Sequence, residues 1–230
     1  MTKSSIALLA TAAVLAMVPA AMANTINFSC PGSLNGGPAC TTSPTTQSMT
    51  SWSQSGFSVT PTAGSWDYNF FQGNPPPGIS SGTSTAQTVA VAASNGGDFT
   101  FSSVDLGTIV GKGSMTYSIV GDNGATQEFD ITGTLNGSSC TPTVGICSAD
   151  GLNGNTDTVY YFTINDAADS LIGITALDIT LTPTSAQYGY VDNIVLNPEP
   201  TSLLLLGTGL LGLAFLVFRR AKSSTAALHV

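Results

Sequence analysis

Positive charge is almost missing from this chain. Its 230 residues hold five lysines and arginines and one histidine. Lys3, Arg219, Arg220 and Lys222 lie near the ends, so Lys112 is the only cation between residues 24 and 197, against Glu128 and eleven aspartates. A region of that sign, with no arginine, repels phosphate backbones and anionic headgroups. Nucleic acid and anionic lipid are thereby excluded as partners.

The single histidine is His229, remote from the middle of the chain. Without a histidine there, Ser-His-Asp and Cys-His nucleophiles, histidine-ligated zinc and most redox-metal sites are excluded. Two-carboxylate glycoside hydrolysis needs no histidine. However, Glu128 is the only glutamate of the region, and many of its aspartates stand beside Gly, Asn or Ser, as turn and cap residues do. A Ser-Lys pair would have to use Lys112, which sits between Gly111 and Gly113. No catalytic residue is assigned, and the chain is read as a non-enzyme.

Long helical periodicity is the third absence. No segment of the middle keeps an apolar period of 3.6 for three turns, and the nearest, NDAADSLIG, reads as a short helical turn or loop. Short runs rich in Val, Ile, Thr, Phe and Tyr are present instead, at 25–29, 56–60, 66–71, 87–92, 98–106, 113–120, 126–135, 158–164, 174–181 and 188–196. Several alternate with period two: Leu177, Ile179 and Leu181 interleave with Asp178, Thr180 and Thr182. Such a strand buries one face and wets the other. Gly121-Asp122-Asn123-Gly124 has the residues of a hairpin turn. The predicted fold is all-β: a jelly-roll-like sandwich of two antiparallel sheets, about ten strands in all, with Phe70, Phe99, Phe101, Phe129, Tyr161 and Phe162 filling the space between them. Residues 24–55 form a Ser/Thr/Gly/Pro-rich lead-in, and GNPPPGISSG is a second breaker cluster.

Both ends read as appendages. Residues 1–23 combine Lys3, an apolar run from Ile6 to Val18 and the small-x-small pattern Ala21-Met22-Ala23, which predicts a signal peptide cut after Ala23. The exported domain then covers 24–197. From Leu203 to Phe218 there is no charged residue, and Arg219, Arg220 and Lys222 follow. This predicts a membrane-spanning helix over 201–218 and a cytoplasmic tail at 223–230.

All four cysteines, Cys30, Cys40, Cys140 and Cys147, fall in the exported part, where disulfides persist. Four cysteines allow three pairings. Nearest-neighbour bridges, Cys30 with Cys40 and Cys140 with Cys147, are preferred because each closes a short loop containing Gly, Pro or Thr. A zinc site fits poorly, the spacings being wider than zinc knuckles use and no histidine accompanying them. No cofactor is expected, and calcium is the one candidate. Asp122, Asn123 and Asp130 form one set of hard oxygen ligands, and Asp150, Asn153, Asn155 and Asp157 another, neither with EF-hand spacing. Rings that could stack on a sugar are Trp52, Trp66, Tyr68, Tyr188 and Tyr190, of which Trp66, Tyr188 and Tyr190 are the preferred contacts.

The C-terminal residues carry a resemblance. Pro198-Glu199-Pro200, then an apolar helix containing Leu210 to Leu213, then Arg219-Arg220, resembles the PEP-CTERM sorting signal of bacterial exported proteins, here over 198–222. The preceding GYVDNIVLNPEP is also similar to the last strand of such proteins. The resemblance implies a Gram-negative-type producer of extracellular polysaccharide and an exosortase partner that reads Pro198, Glu199 and Pro200 and cuts at or near them, the helix being a transient membrane anchor. The implied role is that of a non-enzymatic surface or matrix protein associated with biofilm or exopolysaccharide. A carbohydrate-binding module is the alternative, and a glycan-cleaving enzyme the next. The implied itinerary is an inner-membrane-anchored precursor, then the cell surface or the extracellular space.

Overall fold

Seventeen strands make up the domain in the computed structural model, which describes residues 23–29, 32–38, 46–69, 73, 76–82, 85–152, 159–165, 172–184, 188–198, 209–210 and 212–214. In chain order they are β1 (Asn24–Ile26), β2 (Ser33–Leu34), β3 (Gly37–Pro38), β4 (Gln47–Met49), β5 (Trp52–Gln54), β6 (Phe57–Ala63), β7 (Trp66–Asn69), β8 (Gly78–Ser81) and β9 (Gln87–Ala93). They continue with β10 (Phe99–Ile109), β11 (Ser114–Asn123), β12 (Thr126–Asn136), β13 (Ser139–Pro142), β14 (Ile146–Leu152), β15 (Val159–Asn165), β16 (Ala176–Pro183) and β17 (Gly189–Pro198).

They form two antiparallel sheets. The first runs β14-β15-β10-β17-β8-β7-β4, with β1 also paired to β17; the second runs β13-β12-β11-β16-β9-β6-β5-β2-β3. The alternating pattern decides the faces. Leu177, Ile179 and Leu181 of β16 are fully buried, while Asp178, Thr180 and Thr182 are half-buried on the other side. Val191, Ile194 and Leu196 of β17 meet them from the opposite sheet as part of one core.

The large rings of that core lie toward the β4–β7 side. Trp52 stacks on Tyr68 at 5.0 Å with 11° between the planes, and Phe28 tilts against Trp52 at 5.6 Å. The Tyr68 hydroxyl donates to the Phe28 carbonyl at 2.9 Å, and the indole N–H of Trp52 donates to Gln54 at 3.2 Å. Phe28 takes φ 54°, a costly conformation for a bulky residue that the burial of its ring offsets. Gly32 is required by contact: a Cβ there would stand 2.1 Å from the Trp52 ring.

All ten expected strands have counterparts. The seven others, β2 to β5, β8, β13 and β14, are short or lie in stretches rich in turn-forming residues. The described residues of the lead-in are therefore part of the fold, and Trp52 among them is a core residue. The β11–β12 hairpin turns at Gly124 and Ala125, two residues later than expected, because Gly121 stays in the strand beneath the Phe129 ring. Phe99, Phe101 and Phe162 fill the intersheet core and Phe129 packs at its margin, whereas Tyr161 belongs to a separate cluster with Val159 and Tyr190. Phe70 and most of NDAADSLIG lie outside the described residues.

Cys140 and Cys147 are joined, linking β13, an edge of one sheet, to β14, an edge of the other. Cys30 and Cys40 lie outside the described residues.

Met22–Glu199 form one compact unit. Beyond it, residues 209–210 and 212–214 are helical, and among the described residues no helix is long and apolar enough to cross a membrane. The remainder of the expected span, together with Ala21, Glu199, Pro200, Arg219 and Arg220, lies outside them.

Two stability measurements check this packing. Trp52→Ala removes the ring that holds Phe28 and Tyr68, and chemical denaturation of the exported protein is expected to show a loss of about 3–5 kcal/mol. Replacing Cys140 and Cys147 together by serine reopens a loop with a sequence separation of 7. Loop-closure entropy sets the expected loss at about 2.5 kcal/mol in the same assay.

Candidate functional site

The outer face of the first sheet gathers the polar groups that need explaining. Val104, Leu106, Phe162, Ile164 and Val191 point into the core, so their strand neighbours point away from it. Register aligns these neighbours into rows across β14, β15, β10 and β17. One row holds Ser148, Thr163, Asp105 and Asp192; the next holds Tyr161, Gly107 and Tyr190, continuing to Ser80 on β8 and Asp67 on β7.

Asp105 and Asp192 face each other directly on β10 and β17, 6% and 0% exposed. Like charges placed so are unfavourable. Lys112, the only lysine or arginine between residues 24 and 197, lies in the turn that follows β10. Hydrogen bonds supply part of the compensation. Thr163 Oγ1 donates to Asp105 Oδ1 at 2.7 Å, Asn193 Nδ2 to Asp105 Oδ2 at 2.8 Å, and the Asn193 backbone N–H to Asp192 Oδ1 at 2.7 Å. Asn193 reaches Asp105 because it occupies an irregularity in the β10–β17 ladder with φ 44°, a left-handed conformation that asparagine tolerates.

Burial raises the Asp105 carboxyl above the ordinary carboxylate range and the charge of Asp150 adds to it, with the bonds from Asn193 and Thr163 acting the other way. Beside this pair, Tyr161 lies across Gly107, where a Cβ would stand 2.8 Å from the ring. Its hydroxyl is buried beside the Gly73 backbone. Burial, then the charge of Asp192, push it well above the ordinary phenol value. Tyr190 is raised to about 12 by burial and by Tyr188.

The three preferred sugar contacts end in three different places. Trp66 is 1% exposed inside the sandwich, so its assignment to a ligand is corrected to a core role. Tyr190 is 6% exposed in the Tyr161 cluster, and Tyr188 is 45% exposed just ahead of β17. Trp52 and Tyr68 are also core rings. Of these five rings only Tyr188 is exposed, and Asp67 on β7 is half-buried.

Among the calcium candidates, Asp150 is exposed on β14, while Asn153, Asn155 and Asp157 lie outside the described residues. Asn123 spends its amide on the Gly173 carbonyl at 3.2 Å, and Asp130 accepts from Ser118 at 2.9 Å. Among the described residues no group of three His, Cys, Asp or Glu could hold a metal ion. Glu128 is half-buried on β12, in the other sheet from Asp105. The Asp105–Asp192 pair was missed because the partners are 87 positions apart. The available signal was an aspartate between apolar residues in mid-strand, as in VDL and VDN.

Asp178, like Asp105, is raised above the ordinary carboxylate range, by burial and then by the charge of Asp122. A carboxyl whose folded value lies above its unfolded one favours the folded state in acid, and that contribution is lost as pH rises through the folded value. Melting temperature is expected to fall as pH rises above the ordinary aspartate value of about 4. Asp105→Asn is expected to flatten part of that fall; an unchanged slope would remove the buried carboxyl as its source.

No curated protein matches the chain. Among solved structures it is similar to a family 11 carbohydrate-binding module from Clostridium thermocellum in complex with a β-1,3-1,4-mixed-linked tetrasaccharide, at 12% identity over 64% of this chain and 91% of that one, TM-score 0.33. It is similar to a carbohydrate-binding module with specific mannan recognition at 14% identity, 78% and 99% coverage, TM-score 0.34. An exo-β-agarase matches at 12% identity over 70% of this chain and 24% of that one, TM-score 0.33. The family model of the PEP-CTERM protein-sorting motif matches residues 198–220, and the chain is accordingly an exported protein that carries this sorting signal at the end of an all-β domain.

Proposed function

We propose that this is a non-catalytic protein of the cell surface or extracellular matrix, delivered by an exosortase, whose sandwich binds an extracellular polysaccharide. The observation that carries the reading is the sorting motif at 198–220 joined directly to the sandwich, since Pro198 is both the first residue of the motif and the last of β17. The precursor is held in the inner membrane by the C-terminal helix and loses it on processing.

Exposed Tyr188 supports the polysaccharide part, because a phenol ring offers an apolar face to a sugar and a hydroxyl to its edge. Charge narrows the ligand. One lysine against twelve carboxylates between residues 24 and 197 disfavours uronate-rich or sulfated chains and favours a neutral one. The glycan-cleaving alternative has only Glu128 and the aspartates from which to draw its acid and its nucleophile, and Glu128 is half-buried on β12.

Two experiments test the reading. Recovered from its host, the protein is expected to begin at Asn24 and to lack Arg219 to Val230 only when the exosortase gene is present, as read by intact mass. In affinity electrophoresis against the host's neutral polysaccharide, Tyr188→Ala is expected to weaken binding roughly tenfold, about 1.4 kcal/mol. Equal retardation of both proteins would remove Tyr188 as a contact. Reducing ends released by the wild type and lost in Glu128→Gln would favour the enzyme instead.

A further inference from the structure

The first residue of the sorting signal belongs to the sandwich. The motif begins at Pro198, and Pro198 is paired with Phe99 of β10, followed inward by Asn197 with Thr100 and Leu196 with Phe101. Phe99 spends its own N–H and C=O on Ile174, at 2.9 and 2.8 Å. The pair it forms with Pro198 is therefore of the non-hydrogen-bonded kind, where a proline loses nothing by lacking an N–H. By the alternation of the ladder, Thr100 and Asn197 form the next hydrogen-bonded pair.

On its other edge β17 is held by β1, with Asn24, Thr25 and Ile26 opposite Leu196, Val195 and Ile194. Leu196, Ile194 and Phe99 are all fully buried. Only Asn197 and Pro198 can leave the sheet without exposing core. Leu196 is the stop, clamped between Phe101 and Asn24.

Pro198 makes no ladder bond of its own to Phe99, so the Asn197–Thr100 pair just before it is what holds it in the sheet; a protease binds its substrate extended, and backbone groups engaged with a neighbouring strand are not free to bond the enzyme. We infer that the sandwich gates its own sorting: Pro198 is withheld in the sheet, and the exosortase gains the first residue of its signal only when the end of β17 unpairs from β10. This rests on the exosortase reading above. It adds that processing runs at a rate set by local opening of two residues, and that the completed domain stands against the enzyme while it is cut.

The test inserts Gly-Ser-Gly-Ser between Asn197 and Pro198 of the full chain, expressed in the native host. The linker follows Leu196, so every core contact of β17 is kept, and a two-residue Gly-Ser version serves as a second variant if export of the longer one fails. Pulse-chase with mass detection of tail loss is expected to show processing roughly tenfold faster than in the parent chain, since a frayed strand end is open only a fraction of the time. Equal rates in parent and linker chains, with tail loss abolished when the exosortase gene is deleted, overturn the gate and leave the sorting reading standing. Tail retention or tail loss that ignores the exosortase gene in every chain overturns the sorting reading and the gate with it.

Discussion

Strand β17 is the member on which the other parts of this domain depend. It lies in the middle of the first sheet, bonded to β10 along one edge and to β8 and then β1 along the other. It contributes Val191, Ile194 and Leu196 to the core, Asp192 and Tyr190 to the outer face, and Pro198 to the sorting signal. Because it is the last strand of the domain, the sheet cannot close until the chain has been made as far as the signal. Its pairing with β1 also brings Asn24, the residue expected to become the N-terminus, to a position opposite Leu196. The two ends of the exported domain are thus neighbours.

The acidic composition has a structural counterpart. Most aspartates of such a chain can stay wet at little expense, but Asp105 and Asp192 are opposed and buried. Hydrogen bonds from Thr163 and from Asn193, including its backbone, carry part of that cost. Asn193 does this from an irregular, left-handed position. Departure from a regular ladder and the accommodation of buried charge are in this case the same feature.

The two faces of the sandwich differ accordingly. The outer face of the second sheet presents small polar residues, among them Thr60, Thr88, Thr116, Ser118, Thr132, Thr134, Thr180 and Thr182, with Thr88 and Thr180 hydroxyls 2.9 Å apart. The outer face of the first carries Tyr161, Tyr190 and the carboxylate pair, with Tyr188 exposed beside them. Ring stacking with a sugar is available only where an aromatic face meets water, which singles out the Tyr188 side.

Much of this was legible in the amino-acid order, because period two and the sorting motif are local patterns. Alternation located ten strands and assigned Leu177, Ile179 and Leu181 to the interior, and Pro198-Glu199-Pro200 with the apolar run and Arg219-Arg220 identified the address. The strands that escaped notice, such as β4, β5 and β13, are three or four residues long and sit among Ser, Thr, Gly and Pro, too short to show a period. Trp66 and Tyr188 look alike as isolated aromatics; Trp66 lies on the core face of β7, whereas Tyr188 stands ahead of β17 and meets solvent. Export, acidity, fold class and sorting signal were readable from the amino-acid order, since each depends on composition or on neighbours along the chain. Only the tertiary structure decided that Asp105 faces Asp192, that Tyr161 is buried on the outer face and that Pro198 is tied to Phe99, because each depends on the register between strands far apart in the chain.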